Sequence, residues 1–381
     1  MLYVRPEYYE KFKCVADLCE ATCCAGWQIV IDEAAKKRYK SEPGEYGAVL
    51  RERIDFAEGV FKQDCRKRCA FLKDNNLCEM YEQLGKDSLC FTCANYPRHI
   101  EEFENLREIT LTVSCPEVAR ILLEQKEPIK FTEEEIDEEE EEFEDFDPFF
   151  FSYLEDARKI MIAILQNRSL SMPVRVALVR KMAEEMQDII EVSDLFDLAD
   201  VFETYEEEEN LANAVRIAEH KLNAFYENQE EEYFYSKAVF ERLYKLEFLS
   251  EDWKDYLDKC WVTLYGKGAQ GYHEMQKKFG EYGKQESFAD VSMDIILEQL
   301  LVYFVFAYFC GAVYDDNVIG KISMAVDSVT VLYQMFVAKW VEQDGRLSAE
   351  DIQRMVYRYS RELEHSDVNL EVMQGGNKSR C

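Results

Sequence analysis

The chain has 381 residues, 48% hydrophobic and 32% charged, so it carries too much apolar surface to stay unfolded and is long enough for about two cores. Its 77 acidic residues outnumber 45 basic ones, and the formal charge of −32 repels a phosphate backbone. Nucleic acid is thereby excluded as a natural ligand, whereas a basic or lysine-bearing protein surface would be attracted; solubility alone also accounts for such acidity.

The opening stretch "MLYVRPEYYEKFK" carries charges where a secretory signal needs an apolar run, which predicts a cytoplasmic, reducing location without disulfides. Ten of the thirteen cysteines lie before residue 116, and this asymmetry sets off residues 1–125 as a cysteine-rich module. Cys14, Cys19, Cys23 and Cys24 are spaced C-x4-C-x3-C-C, followed by Cys65, Cys69, Cys78, Cys90 and Cys93, and then Cys115. Thiolates at short spacings converge on one soft metal because the intervening loops let their sulfurs turn inward, which selects zinc or iron–sulfur units. Clustering of this density has no packing rationale, whereas the isolated Cys260 and Cys310 read as small buried hydrophobes. A closed structural zinc site without chemistry fits the spacing equally well.

Residues 126–148 contain "TEEEIDEEEEEFEDFDP", a block of like charge that predicts an exposed acidic linker. Beyond it, residues 149–372 read as a helical domain. Val176, Val179, Met182, Ala183, Met186, Ile189 and Ile190 recur at threes and fours after Pro173, which suits a first helical turn. Segments 210–226, 231–248, 292–314 and 321–342 are also helical in pattern. The stretch "LLVYFVFAYFCGAV" at 300–313 falls short of the roughly 18–20 apolar residues that span a bilayer and predicts a buried helix, with no membrane partner. Gly266, Gly268 and Gly271 match a G-x-G-x-x-G pattern, but helical periodicity precedes them, so they predict a loop between helices. Ser348, with Asp351 three residues on, predicts a helix start, and Ile352, Met355, Val356, Tyr359 and Leu363 form one face of that helix. Residues 373–381, ending in Cys381, read as a flexible tail. No regular succession of alternating strands is evident. The expected fold is mainly α, with the cysteine-rich metal- or cluster-binding module packed on the helical domain.

"CCAGW", "CFTCANYPR", "SCPEVAR", "ILQNRSL", "QLLVYFVFAYFCGAVYD" and "YSRELEHSDVNL" occur in an order, over roughly residues 8–372, that resembles the flagellin lysine-N-methylase (FliB) family. The amino-terminal part is also similar to a wider group of zinc- or iron-chelating proteins. The resemblance implies methyl transfer from S-adenosylmethionine to lysine side chains of flagellin, the protein partner. It also implies a four-iron four-sulfur cluster on the family's cysteine positions, here Cys14, Cys19, Cys23, Cys24, Cys69, Cys78, Cys90, Cys93 and Cys115. Cys65 falls outside that set, Ala70 stands where the family pattern has proline, and the acidic run is unusually long. A cubane cluster needs four ligands, so nine candidates imply either a second metal site or cysteines that only support the fold; zinc remains the alternative metal. A radical mechanism is not supported by the local spacing, because Gly26 occupies the third position of a C-x3-C-x2-C pattern.

The motif match makes Arg361, Glu362 and His365 the expected catalytic set, since helical spacing brings them toward one pocket edge; an exposed i,i+4 pattern is the alternative. Arg98, Asn167, Arg168 and Arg175 are the expected donor-binding residues, a guanidinium suiting the donor's carboxylate, although capping by Asn167 explains part of that stretch equally well. The rival to an enzyme is a non-catalytic zinc-stabilised adaptor that binds a basic partner.

Overall fold

The computed structural model describes residues 1–138, 141–192 and 194–375, so the end of the predicted tail, with Cys381, lies outside the described residues. The amino-terminal region carries β1 (Leu2–Pro6), α1 (Glu33–Ser41), α2 (Gly44–Arg53), the short strands β2 (Ile54–Asp55) and β3 (Val60–Phe61), α3 (Glu79–Leu84) and α4 (Phe91–Asn95). Then come β4 (Arg98–Phe103), β5 (Leu106–Leu111), α5 (Pro116–Leu123) and β6 (Phe131–Glu135). The helical region consists of α6 (Pro148–Leu165), α7 (Met172–Val192), α8 (Leu198–Glu206), α9 (Glu208–Glu227), α10 (Gln229–Glu241), α11 (Trp253–Tyr265), α12 (Gly268–Gln285), α13 (Met293–Tyr308), α14 (Val318–Glu342), α15 (Ala349–Glu364) and α16 (Asp367–Met373).

The helices follow the periodicity closely. Pro173 lies in the first turn of α7, Gly266 and Gly268 punctuate the junction of α11 and α12, and α13 continues into a 3-10 turn to Tyr314. Residues Met293–Tyr314 are apolar and long enough to cross a membrane, but the protein's own helices cover them, and nearly every side chain of α13 is buried. Ser348 accepts from the Asp351 backbone while the Asp351 carboxylate accepts from the Ser348 backbone, a reciprocal cap at the start of α15. Serine-to-alanine at such a position removes about 1 kcal/mol. Denaturant unfolding of S348A should show that loss without a change in slope.

Two expectations are corrected. A four-stranded sheet of order β4-β5-β1-β6 is present, in which β1 runs parallel to β5 and antiparallel to both its other neighbour and the sense of β4. The hairpin between β4 and β5 turns through Glu104, whose φ of 44° supplies the positive dihedral that a two-residue connection needs. The acidic segment 126–148 is also not simply a linker. Its main chain completes β6 along β1, with Leu2 opposite Glu135 and Pro6 opposite Phe131, while its glutamates point to solvent on a charged sheet edge. Arg107, which pairs with Glu102, Glu138 and Glu141, offsets the like charge that would otherwise drive this segment away. Upstream, Gln299 donates to the backbone of Gln125 and Glu127, so residues 125–129 are anchored to α13.

Burial divides the molecule differently from the linear reading. Strands β1 and β5, helix α5 and the whole helical region share one large core. A second, small core is built by the loops, short helices and strands β2 and β3 between Cys24 and Cys93, from Ile29, Ile31, Tyr39, Leu50, Phe61 and Phe71 among others. The sheet therefore belongs physically with the helical domain, and the small core docks beside it.

Candidate functional site

All twelve described cysteines are unpaired thiols. Five of the family-position cysteines surround the small core. Cys69 and Cys90 are part of it, and Cys24, Cys78 and Cys93 pack against it. Local backbone pairing explains the convergence: the Cys69 N–H donates to the Cys24 carbonyl at 2.8 Å, and Cys78 is bridged to Leu72, whose N–H donates back to Cys69. Cys78 and Cys90 stand at the caps of α3 and α4, and Cys93 lies one turn after Cys90. A hydrogen bond from Cys93 holds the Cys90 thiol below its ordinary value, and one from Cys23 does the same for Cys24. Burial pushes Cys69 up to about 12 and Cys115 up to about 11, so a metal-free protein keeps these two as neutral thiols at physiological pH.

Cys14, Cys19, Cys23 and Cys115 form another neighbourhood. Cys115 caps α5 inside the large core, and the charges of Cys14 and Cys19 act on it, as those of Cys14 and Cys115 act on Cys23. Cys65, exposed on its turn, belongs to neither group, and Cys260 and Cys310 are buried within the helical region. Among the described residues, no group of three or more His, Cys, Asp or Glu side chains is arranged so that it could hold a metal ion. The thiol contacts present are local ones, between Cys23 and Cys24 and between Cys90 and Cys93.

The carboxy-terminal end of α15 touches this region. Arg361 donates from Nε to the Ser114 carbonyl at 2.9 Å and from Nη2 to the Ala21 carbonyl at 2.6 Å, so it joins the first cysteine loop to the residue before Cys115. His365 Nε2 is 3.0 Å from Ser114 Oγ, and its ring lies 4.8 Å from that of Trp27. Trp27 in turn donates to the Cys23 carbonyl. Burial and the neighbouring Arg361 charge lower His365 to about 3, so its imidazole is neutral near pH 7 and is not a proton donor in reserve. Arg361 and His365 thus both reach Ser114.

Glu362 departs from that set. It is buried, and its two carboxylate oxygens accept from the backbone N–H groups of Leu249 and Ser250 at 2.7 and 2.8 Å. These bonds commit Glu362 to holding the loop before α11, which corrects its assignment to the catalytic edge. The carboxylate that faces the sheet is Glu364. One oxygen accepts from Tyr303 Oη at 2.8 Å and from Thr112 Oγ1, while the other is shut away from solvent without a partner. Burial raises its pKa, and Tyr8, Tyr303 and Tyr308 are raised in turn by their own burial and then by its charge. His99 stacks 5.5 Å from Tyr308 and sits 2.7 Å from Glu101, which outweighs burial and raises its pKa. The signal for Glu364 was the spacing Tyr357, Ser360, Glu364, which extends the buried face by a turn.

Of the expected donor-binding residues, Arg168 and Arg175 come together but on an internal carboxylate, and Arg98 lies apart. Arg168 and Arg175 both pair with the buried carboxylate of Glu298 on α13, at 2.8 and 2.9 Å. That internal carboxylate occupies the place foreseen for the donor's. Asn167 accepts from Ser169 and closes the turn between α6 and α7, the capping role weighed above. It also lines a cleft of about 610 Å³ with Asp156, Lys159, Phe202 and Tyr205. Arg98 lies elsewhere, donating to Tyr9 Oη at 2.8 Å and to the Asn95 carbonyl.

A family model described as the FliB lysine N-methylase C-terminal domain matches residues 158–379, more than half of the chain. The chain belongs to the FliB lysine N-methylase family. The match covers α13 and α15, with Arg361, Glu364 and His365, whereas all nine candidate metal ligands precede it. Among curated proteins, the Lysine-N-methylase of Salmonella typhimurium is 25% identical over 139 residues, covering 34% of this chain and 35% of the relative. The Lysine-N-methylase of Salmonella choleraesuis matches to the same extent. The Flagellar biosynthetic protein FliU of Salmonella muenchen is 26% identical over 126 residues, covering 31% of this chain and 75% of that protein. The chain therefore spans about a third of the length of the curated lysine-N-methylases it matches. No solved structure matches.

Proposed function

We propose that this FliB-family chain is a cytoplasmic lysine N-methyltransferase that transfers a methyl group from S-adenosylmethionine to lysines of flagellin. The family match supports methylation, the printed names of the relatives support lysine and the flagellum, and the charge of −32 suits a lysine-bearing substrate. The observation that carries the reading is the buried, partly unpartnered carboxylate of Glu364 at the end of α15, beside the residues that hold the cysteine loops.

Amine methylation needs a neutral nucleophile. The lysine ammonium gives its proton to Glu364, and the freed lone pair attacks the methyl carbon. The carbon–nitrogen bond forms as the carbon–sulfur bond breaks, and the sulfonium leaves as a neutral thioether. Tyr303, Tyr308 and Tyr8 form an aromatic wall that excludes water and favours a cation before the proton leaves. Arg361 and His365 fix α15 against the cysteine loops. If an iron–sulfur unit or zinc is bound, the family-position cysteines would have to rearrange to hold it, and it would supply a thiolate anchor beside that helix.

Incubation of anaerobically purified protein with S-adenosylmethionine and flagellin, followed by intact-mass and peptide mass spectrometry, tests the reading. The expected result is flagellin heavier by whole methyl groups located on lysines. Flagellin that binds but gains no mass would favour the adaptor.

A further inference from the structure

Helix α6 carries an apolar face that the molecule leaves partly in water. Phe149, Tyr153, Ile160 and Ala163 recur along it at threes and fours, with Asp156 among them, and this face runs about 20 Å from the first turn of the helix into the cleft of about 610 Å³ beside α8 and α9. Phe149 is 45% exposed and Phe196, from the turn before α8, 63%, and their rings meet edge to face at 5.2 Å. Phe149 also meets Tyr153 at 5.2 Å, and Tyr153 lies 6.1 Å from Phe202, which lines the cleft. Phe149 and Phe196 both stand outside the large core. A continuous aromatic row of this kind holds apolar surface in water that a partner would cover.

The rim is acidic. Glu206 lines the cleft, and Glu207, Glu208 and Glu209 continue outward from it, all exposed. Lys159 also lines the cleft, but its ammonium is spent on Asp156 at 3.1 Å. The walls are helices whose backbone groups are paired internally, so an extended strand would find no edge to join. A helix satisfies its own backbone and needs only apolar contact from such a groove.

We infer that the cleft and the aromatic face leading into it dock an amphipathic helix of the protein substrate, its apolar side laid on Phe149, Phe196 and Phe202 and lysines on its flank meeting Glu206 and the glutamates that follow. This inference rests on the proposed reading of a lysine-bearing protein substrate. Glu364 and the tyrosines around it contribute nothing to this surface, so it holds the substrate protein and not the reacting lysine. Binding gained away from the reacting atoms lowers Km and leaves the chemical step alone.

The test titrates fluorescently labelled flagellin with the full chain at low and high salt and measures steady-state methylation beside it. F149S/F196S should weaken flagellin binding at least about tenfold, the usual consequence of removing anchoring aromatics, and raise its Km to match, with kcat and the Km for S-adenosylmethionine unchanged. E206K/E207K should weaken binding at low salt and approach the wild type as salt rises. If F149S/F196S fails to fold, E206K/E207K still decides, because it alters exposed side chains only. Unchanged binding in either folded variant, or no binding of flagellin by the wild type, would overturn the inference. A loss confined to S-adenosylmethionine would make the cleft the donor's, and a wild-type dimer that F149S/F196S dissolves would make the face a self-interface; either result also overturns it. Weakened binding in variants of a chain that methylates nothing sinks only the enzymatic reading, whereas unchanged binding in variants of an active enzyme sinks only the docking surface.

Discussion

Glu364→Gln should lower the methylation rate about 10²–10⁴-fold, the usual contribution of a positioned general base, while the Km for S-adenosylmethionine stays unchanged. Glutamine keeps an oxygen for Tyr303 and Thr112 and loses only the capacity to take a proton. A pH profile separates this from mere damage to packing: the residual rate should climb with pH, because solvent then supplies the neutral amine that Glu364 no longer generates. A flat profile with an equal loss would assign Glu364 to the fold instead.

Stability should move in the opposite direction. Burial raises the Glu364 pKa, so folding favours its protonated form, and the associated stability is present below its unfolded value and fades as pH rises through its folded value. The groups facing it are Thr112, Tyr303, Tyr308, Tyr8 and, on its own helix, Ser360, with His99 on the sheet side. E364Q should therefore gain on the wild type in thermal stability as pH rises from below the ordinary carboxyl value through the raised folded-state value of Glu364. A constant difference would contradict a titrating carboxyl.

Glu298→Ala should cost about 3–5 kcal/mol in denaturant unfolding, which makes it the most destabilising single change expected in the helical region. Glu298 is fully buried within an apolar helix, and its removal leaves Arg175, with a side chain only 5% exposed, without its carboxylate. Arg175 also donates to the Leu165 and Leu170 carbonyls, so it cannot swing to water without opening the turn after α6. The same experiment bears on the donor. If Arg168 and Arg175 serve only this internal ion cluster, R168A should lose stability with no change in the Km for S-adenosylmethionine. A raised Km with stability intact would return Arg168 to the donor site.

The helices were legible because their apolar positions recur at threes and fours over long stretches, and the cap at Ser348 is encoded within four residues. The sheet was not. Strand β6 reads as part of a charge run, and its partner β1 lies more than a hundred residues away, so neither shows its pairing locally. Only the hairpin of β4 and β5 carried a usable sign, in the segments on either side of Glu104 and Asn105. The cysteine positions were plain from their spacing, but that Cys115, at the start of α5, is buried in a different core from Cys69 and Cys90 was not. Glu362 and Glu364 lie two residues apart on one helix. Which of them is spent on the fold depends on the backbone of Leu249 and Ser250, and no local pattern reveals that. The two arginines were rightly read as carboxylate binders, but the carboxylate came from α13.

The most direct test of the central claim is label transfer. Protein purified without oxygen is given S-adenosylmethionine carrying a tritiated methyl group together with flagellin, and the flagellin is then hydrolysed to amino acids. The account predicts tritium in methylated lysine with the wild type and a strongly reduced amount with E364Q. Unlabelled lysine from a folded wild type would contradict it.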